Sequence, residues 1–322
     1  MRTIQKQRGI FQEIGINQSK EVLLIENEYK KIQETTNKYK KQKYWKIAIG
    51  LNQVDDLKPS EELKKLAYEN INNIKTYVEV KDELHKYYSK SEKINKSEYE
   101  CDLVSLKIVE LLDNSSFNLK VNALASIHKE LFDSVISEQF YGKFRKFDIQ
   151  KYEEILNGDG ANYGNFRTIE EDLKDIVEEL NIRKYEINNT NDIVKLAVDC
   201  VKKIWDVHPF VEGNTRTTTV FVLKFLNSLG IEDVSNDLFR DNAKYFRDCL
   251  VLANYSQLNR YNEFIKLDIK PLYRFFEKFL IDDKLELIEI EPVHNNKYYD
   301  KIENPSKLLE YEGLNEDLDS DW

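Results

Sequence analysis

The sequence is poor in cysteine, histidine, glycine and proline, and each shortage excludes a class of protein. Three Cys in 322 residues cannot form a disulfide scaffold, and they fit a reducing cytosol. The Cys and the four His lack the paired spacing of zinc ligands, which disfavours a structural metal centre. Ten Gly and five Pro are few for an all-β protein with many tight turns. Nineteen Tyr and sixteen Phe argue against disorder and for a sizeable core. Together with the few Gly and Pro, this composition predicts a mainly α protein.

Long apolar runs are also missing. No stretch approaches the ~18 consecutive apolar residues that a membrane-spanning helix requires. The first fifteen residues contain no continuous apolar segment of the kind found in secretory signal peptides. We therefore expect a cytoplasmic protein without a membrane partner. A signal read by specialised secretion machinery would not show this pattern, so export as an effector stays open.

The charge is negative overall and unevenly distributed. The net charge is −10, and residues 282–322 carry thirteen acidic side chains against four lysines. Residues 1–46 carry eleven basic side chains against five glutamates. The two ends could attract each other or bind separate partners. Aromatic residues are interleaved in the basic arm, but a pI near 5.2 disfavours nucleic acid as a partner.

Apolar periodicity predicts helices along most of the chain. A long helix is expected over 19–48, giving way to a loop at Gly50, and Ser60 and Thr76 resemble N-caps of two further helices. The polar stretch 89–99 predicts a linker and domain boundary. The resulting division is an N-terminal helical arm (1–44), a small helical module (45–92), a larger helical domain (100–281) and an acidic tail (282–322).

Two segments interrupt or end the helical pattern of the larger domain. Residues 142–167 hold four of the ten glycines, and Asn-Gly-Asp-Gly within them predicts a β-hairpin or an exposed flap. The clearest helical periodicity of the chain runs from Ile193 to Trp205 and places His208 next on the same face. Pro209 must end that helix.

The residues from His208 to Arg216 have a composition suited to chemistry on phosphates. A His at a helix end is a candidate general base near neutral pH. Glu212 is a hard oxygen ligand suited to Mg²⁺ that is shared with substrate phosphates. Gly213, Asn214 and Thr215 open the next helix, where free backbone N–H groups bind anions. With the guanidinium of Arg216 added, these groups predict transfer from a nucleotide or another phosphoanhydride.

The segment HPFVEGNTRTTT at 208–219 resembles the Fic family of the Fic/Doc superfamily, whose motif is HxFx[DE]GNGRxxR. The resemblance covers roughly 100–281 and includes GKFR at 142–145 and the glycine-rich segment. It implies a Fic-fold helical bundle with a small β-hairpin flap, preceded here by an N-terminal helical region. His128, on an apolar helix face outside the motif, we interpret as a hydrogen-bonded core residue.

The resemblance implies a role for each motif residue. His208 would deprotonate a Ser, Thr or Tyr hydroxyl of a target protein, and Glu212 would hold Mg²⁺. Backbone amides of Gly213, Asn214 and Thr215 would cradle phosphates, with a side-chain hydrogen bond from Asn214, and Arg216 would neutralise charge at the α-phosphorus. The implied activity is protein adenylyltransfer (AMPylation), with ATP as the substrate that supplies AMP.

The resemblance also suggests partners for the chain. A target protein would dock at the flap (153–164) by adding a strand to its edge, and a homo-oligomer is a further possibility. Downstream of the motif, Tyr245, Arg247 and Asn254 are candidates for the nucleotide base pocket, with packing roles equally open. Of these three, Asn254 is the one that we assign to nucleotide binding.

Departures from the family pattern keep alternatives open. Thr215 replaces the second glycine of GNG, and Thr219 replaces the second arginine. Two alternatives therefore remain: a transferase that uses another nucleotide or phosphate donor, and a protein that binds a nucleotide or a partner without catalysis. Residues 45–92 resemble the small antitoxin or inhibitory module of some Fic proteins, as in a fused toxin–antitoxin pair. The stretch 51–56 lacks the leading Ser/Thr of the inhibitory signature. We expect the N-terminal helices to form a scaffold with weakened or altered inhibition.

Overall fold

The computed structural model describes residues 37–90, 94–234, 237–255 and 268–293, and this part of the chain is mainly helical. The first helix, α1, covers 37–53. The helices that follow are α2 (Glu61–Ile71), α3 (Tyr77–Ser89), α4 (Lys96–Asp113), α5 (Val121–Phe132), α6 (Ile169–Arg183), α7 (Thr190–Val207), α8 (Asn214–Ser228), α9 (Leu238–Asp241), α10 (Ala243–Asn254) and α11 (Lys270–Leu280). The predicted fold class, mainly α with a small hairpin, is confirmed.

The hairpin forms in the glycine-rich segment. Strands β1 (Gln150–Tyr152) and β2 (Gly160–Asn162) pair antiparallel, with Lys151 opposite Ala161. A short 3₁₀ turn over Glu154–Leu156 lies between them and ends at Asn157 in the left-handed conformation. Asn tolerates that conformation better than most residues, which explains why the turn falls there. Because β1 begins at Gln150, the flap starts three residues earlier than the predicted 153–164, and from here on the flap means residues 150–164.

The helix starts in the N-terminal part follow the capping pattern of the sequence. The hydroxyl of Ser60 accepts a hydrogen bond from the backbone N–H of Leu63. Thr76 and Glu79 form a complete capping box at the start of α3. Such side chains satisfy backbone N–H groups that have no partner within the helix. Both predicted N-caps are confirmed.

Helix α1 does not end at Gly50 as the sequence predicted. The helix continues to residue 53, and the glycine serves a close contact instead. A Cβ at position 50 would lie 2.4 Å from the backbone nitrogen of Arg240 and 2.6 Å from the carbonyl carbon of Phe239. Gly50 therefore lets α9 approach α1, and Trp45 and Leu51 of α1 are fully buried in the core.

The N-terminal helices pack directly on α4, which begins at Lys96 inside the stretch predicted as a linker. Asp102 of α4 is fully buried and accepts hydrogen bonds from the backbone and hydroxyl of Ser60 and from the hydroxyl of Tyr88. A buried carboxylate needs such partners. Burial raises the pKa of Asp102, against the opposing effect of these hydrogen bonds. This residue ties α2 and α3 to the larger helical domain.

The centre of the core is the pair α7 and α8, against which α4, α5, α6, α10 and α11 pack. Nine phenylalanines are among its largest fully buried side chains, including Phe210 of the loop between α7 and α8. Gly230 ends the α8 region with a positive φ, as predicted. The predicted start of the long helix over 19–36, the basic arm up to residue 36 and the acidic tail from 294 lie outside the described residues. Within the described ranges, no helix has the length and apolar character needed to cross a bilayer.

Candidate active site

His208 lies at the junction of α7 and the motif loop, which we define as residues 208–213. Its backbone has φ 47° and ψ 61°, a left-handed conformation that is costly for a residue with a Cβ. Arg145, buried in the core, stabilises this turn by donating to the carbonyl oxygens of His208 (2.8 Å) and Val207 (3.2 Å), and also to that of Gly164. The arginine of the GKFR segment therefore positions the histidine through the backbone.

The imidazole of His208 has one fixed nitrogen and one available nitrogen. Its Nδ1 lies 3.1 Å from the carbonyl oxygen of Trp205, which can only accept, so Nδ1 carries the proton and Nε2 keeps its lone pair. Burial, with the positive charge of Lys151 as a smaller cause, holds the pKa of His208 well below its ordinary value. The ring is only 1% exposed and stacks against Tyr163 of the flap, with centroids 3.6 Å apart. His208 is thus a neutral, covered base at pH 7.

The motif loop is closed by hydrogen bonds within itself. The side chain of Asn214 accepts from the backbone N–H of Phe210 (2.9 Å) and donates to its carbonyl oxygen (2.6 Å). Gly213 has φ 71°, and a Cβ there would lie 2.2 Å from the ring of Phe132. Only glycine fits this position. The side chain of Asn214 therefore holds the loop closed, and because its amide nitrogen carries two N–H donors, the hydrogen bond to phosphate expected from the sequence stays a prediction.

His128 fixes the loop from the opposite side. The backbone N–H of Gly142 donates to its Nδ1 at 2.8 Å, so its Nε2 carries the proton and donates to the carbonyl oxygen of Glu212 at 3.1 Å. The ring stacks on Phe210 with centroids 3.8 Å apart. Burial lowers the pKa of His128 to about 4. The interpretation of His128 as a hydrogen-bonded core histidine is confirmed.

Glu212 is the carboxylate that the sequence assigns to Mg²⁺. Its side chain is 56% exposed and lies 3.2 Å from the ammonium of Lys151 on β1. Mg²⁺ is commonly held by one or two carboxylates together with substrate phosphates and water. Among the described residues, no group of three or more His, Cys, Asp or Glu could hold a metal. The Glu212 carboxylate is suited to bind a cation that a phosphate ligand also coordinates. The Lys151 ammonium would then have to move away from this carboxylate.

Arg216, in the first turn of α8, is buried and surrounded by side chains from remote parts of the chain. Its Nη1 contacts Asn52 Oδ1 at 3.1 Å and Glu100 Oε1 at 2.7 Å, and its Nε lies 2.9 Å from Asp55 Oδ2. The guanidinium also lies over the ring of Phe132, 4.8 Å from its centroid. The charge of the motif arginine is therefore neutralised by carboxylates from α4 and from the turn after α1.

A second arginine, Arg247 of α10, reaches the same place. Its Nη1 lies 3.4 Å from Thr215 Oγ1 and 3.6 Å from Asp55 Oδ1. Thr215 Oγ1 also accepts from Trp205 Nε1 at 3.1 Å, and the hydroxyl of Thr219 donates to the Thr215 carbonyl oxygen at 2.8 Å. The two threonines that depart from the family motif are thus both hydrogen-bonded inside the site.

A cavity of about 480 Å³ opens beside these residues, between the turn after α1, the flap and α10. Its lining is strongly charged, with seven carboxylates and four cationic side chains. The carboxylates are Asp55, Asp56, Glu100, Glu153, Glu154, Glu212 and Asp248, and the cations are Lys151, Arg216, Lys244 and Arg247. The volume lies in the range of small-molecule sites.

The structure brings Glu212 and Arg216 to the cavity, whereas His208 is covered by Tyr163 and is not among the described lining residues. Asn254 is not among the described residues that line the cavity, and its amide donates to the Leu250 carbonyl oxygen of its own helix. Tyr245 donates to the carbonyl oxygen of Ile288 instead. Sequence reasoning missed Asp55, Glu100, Lys151 and Glu153, because charged residues are common on such helices and turns. The acidic pair at 55–56, within a segment already compared with an inhibitory module, was the available signal.

One comparison with known protein families concerns the segment that contains this helix–loop–helix site. The family model described as "Fic/DOC family" matches residues 118–226. No curated protein matches the chain. Among solved structures, the chain is similar to Fic-1 (aa134–508) from C. elegans, at 17% identity over 80% of this chain and 73% of that chain, with a TM-score of 0.42.

Two bacterial structures are similar at a comparable level. A Fic domain containing signaling protein from Bacteroides thetaiotaomicron is 14% identical over 66% of this chain and 81% of that chain, with a TM-score of 0.41. A Fic family protein from Desulfovibrio desulfuricans G20 is 14% identical, with 65% of this chain and 57% of that chain covered and a TM-score of 0.40. The chain thus spans less than two thirds of the Desulfovibrio protein.

The segment 118–226 contains α5, the flap, α6, α7, the motif loop and most of α8. This segment matches the Fic/DOC family model, and the described residues form a mainly helical structure with a two-stranded antiparallel sheet. The match supports a Fic-type transferase in general.

Proposed function

We propose that this protein is a protein adenylyltransferase that transfers AMP from Mg-ATP to a Ser, Thr or Tyr hydroxyl of a target protein. The observation that carries the proposal is the state of His208, whose Nδ1 is held as a donor by Trp205 while Nε2 keeps a lone pair. A neutral imidazole beside a helix start that presents backbone N–H groups is suited to activating a nucleophile for attack on a phosphate.

The chemical step follows from these residues. His208 Nε2 takes the proton of the target hydroxyl while that oxygen attacks the α-phosphorus of ATP. A bond forms between the oxygen and the α-phosphorus, the bond from that phosphorus to the bridging oxygen breaks, and pyrophosphate leaves. The N–H groups at the start of α8 and the guanidinium of Arg216 stabilise the added negative charge. A Mg²⁺ ion held by Glu212 supplies further neutralisation of the phosphates when bound.

For this reaction the flap has to shift from the arrangement described above. Tyr163 covers His208, Lys151 lies against Glu212, and Asp55 lies against Arg216. Docking of a target strand along the flap edge, as the family resemblance implies, would act on the segment that carries Tyr163 and Lys151. Target binding and uncovering of the base are therefore coupled in this proposal.

The test is intact-protein mass spectrometry after incubation with Mg²⁺ and each of ATP, GTP, CTP and UTP, with bacterial lysate as the source of targets. We expect a nucleoside monophosphate adduct on the protein itself or on a lysate protein. His208→Ala should lower its formation by at least a hundredfold, since general base catalysis contributes about 10²–10⁴ in rate. His85→Ala, at an exposed histidine of α3, is the matched control. An adduct that persists in His208→Ala would contradict the mechanism.

A second candidate is a Fic-type transferase with another donor, or a protein that binds a nucleotide without turnover. Thr219 favours the first, because its hydroxyl is buried and bonded to Thr215, so this position provides no cation for a γ-phosphate. The covered His208 favours the second. An adduct with another nucleotide, or one with the mass of a bare phosphate, would identify the donor, and binding without any adduct would favour the binding protein.

We further propose that residues 45–92 act as a scaffold with altered inhibition. Trp45 and Leu51 are fully buried, so the segment contributes to the core, and Asp55 of the following turn reaches Arg216. An acidic group therefore meets the motif arginine although the inhibitory signature is incomplete.

A further inference from the structure

The segment 208–219 lacks one cation that the family pattern would supply. Position 219 holds a threonine whose hydroxyl donates to the carbonyl oxygen of Thr215 four residues earlier. It is 1% exposed, so it faces neither solvent nor the cavity. A polyphosphate bound at the start of α8 would therefore meet a single arginine from the motif, Arg216.

Arg247 brings a second guanidinium to the same place from a different helix. Glu153 of the flap accepts from its Nη2 at 2.6 Å and from its Nε at 3.3 Å, which fixes the plane of the group. The remaining Nη1 is directed to Thr215 Oγ1 and Asp55. The Nη2 and Nε edge of the Arg247 guanidinium is thus fixed by Glu153. The Nη1 edge contacts Asp55, which also contacts Arg216.

Asp55 marks an anion position between the two arginines. Its Oδ2 lies 2.9 Å from Arg216 Nε and its Oδ1 lies 3.6 Å from Arg247 Nη1, and its side chain is 27% exposed at the cavity wall. The contact to Arg216 Nε is an ion pair without hydrogen-bond alignment, and this buried nitrogen has no hydrogen-bond acceptor among the described residues. A buried N–H group without an aligned acceptor is costly, so a ligand oxygen that accepts this hydrogen bond in better geometry would be favoured. Phosphate oxygens match the forked donors of arginine.

We propose that Arg247 and Arg216 form a clamp for the phosphate chain of a nucleoside polyphosphate, in which Arg247 serves as the cation missing at Thr219 and the phosphate replaces Asp55. Only the nucleoside part of the ligand rests on the proposed function. The clamp makes Arg247 a specificity-determining residue for the length of the phosphate chain. It also explains Thr215, whose side chain contacts Arg247 where the family pattern has a glycine.

The test measures binding of ATP and AMP, each with Mg²⁺, by isothermal titration calorimetry on the full chain. Arg247→Ala should weaken ATP binding at least tenfold and change AMP binding less than threefold. Arg247→Lys should fall between, because it keeps the charge but not the fork. Adding Thr219→Arg to Arg247→Ala should recover at least half of the loss on a logarithmic scale. Arg240→Ala, at an arginine of α9 paired with Asp237 and Asp241 outside the cavity lining, is the matched control.

A second pair of variants tests the anion position without touching either arginine. Asp55→Asn should strengthen ATP binding severalfold. Asp56→Asn removes the same charge from the same cavity and should have less than half that effect. Circular dichroism and thermal unfolding check the fold of every variant. This arm decides the proposal even if Arg247→Ala fails to fold.

The outcomes separate this proposal from the proposed function. ATP binding that depends on Arg247 and Asp55 as expected, with no adduct formed, would support the clamp and contradict the transferase. Equal loss of ATP and AMP binding in Arg247→Ala, or none, would overturn the clamp whether or not transfer occurs. Equal effects of Asp55→Asn and Asp56→Asn would overturn it too, as would the absence of ATP binding in both the wild type and Asp55→Asn.

Discussion

The motif loop and the flap that covers it are held by different kinds of interaction. In the loop, Arg145, His128 and Asn214 make directed hydrogen bonds to backbone groups, and all three side chains are buried. The flap contains two three-residue strands with a short 3₁₀ turn between them. Two of its ion pairs, Lys151–Glu212 and Lys244–Glu154, have side chains that are 32% to 85% exposed.

This difference assigns different tasks to the two regions. Buried hydrogen bonds are costly to lose, because the group left behind has no water to replace its partner. Exposed ion pairs contribute little, since water and salt screen them. The loop is therefore the fixed part of the site. Within the flap, the part around Lys151 is the one that we expect to rearrange when a ligand or a target binds, whereas Glu153 stays paired with Arg247 in a contact whose side chains are only 10% and 18% exposed.

The largest effect is expected at Arg145, whose loss would break the fixed region. Arg145→Ala would leave the carbonyl oxygens of His208, Val207 and Phe147 without this donor, each at a cost of about 1–3 kcal/mol. We expect the free energy of unfolding to fall by about 3 kcal/mol or more, measured by urea denaturation. Arg183→Ala, at a partly exposed arginine of α6, is the control and should cost about 1 kcal/mol or less. Equal losses would mean that Arg145 has no special role.

An effect of intermediate size is expected from His128 at low pH. Its pKa is about 4 in the folded protein against 6.5 in the unfolded chain, so the unfolded state binds more protons between these values. Stability contributed by this group is present above pH 6.5 and is lost as the pH falls towards 4. The loss amounts to about 3 kcal/mol at 1.36 kcal/mol per pKa unit.

His128→Gln can keep a donor and an acceptor while removing the titration. We expect the difference in unfolding free energy between wild type and this variant to shift in favour of the variant as the pH is lowered from 7 to 4. His208, with its own lowered pKa, is common to both proteins and drops out of the difference. His85→Gln should track the wild type throughout. A constant difference for His128→Gln across this pH range would contradict the assignment.

The smallest effect is expected at Lys151 in the flap. Lys151→Ala removes an ion pair between side chains that are 32% and 56% exposed. The free energy of unfolding should change by less than about 1 kcal/mol. Raising the salt concentration should reduce even this change. A loss above about 2 kcal/mol would show that the flap is held as firmly as the loop.

Much of the local structure could be predicted from the sequence, and the exceptions share a cause. Ser60 and Thr76 cap helices as expected, and the Asn-Gly-Asp-Gly segment forms the hairpin. The sequence predicts a helix end at Gly50, but the glycine instead allows the backbone of α9 to approach α1. The requirement for glycine there comes from a neighbour almost 190 residues away, which no local pattern contains.

The candidate site divides in the same way. The order and spacing of His208, Glu212 and Arg216 were sufficient to predict a loop between two helices with a base at its start. The engagement of the Asn214 side chain with Phe210 was not predicted, because the amide could equally have faced a phosphate. The role of Asn254 in nucleotide binding stays a prediction.

By itself the sequence determined the helix starts after Ser60 and Thr76, which faces are apolar and which loop carries the chemical groups. These features depend on backbone hydrogen bonding and side-chain periodicity, which are encoded within a few turns of chain. Only the tertiary structure decided that Arg216 meets Asn52, Asp55 and Glu100, and that Arg247 joins it from α10. The ion-pair partners of these side chains lie in remote segments of the chain, so the pairs form only when tertiary packing brings those segments together.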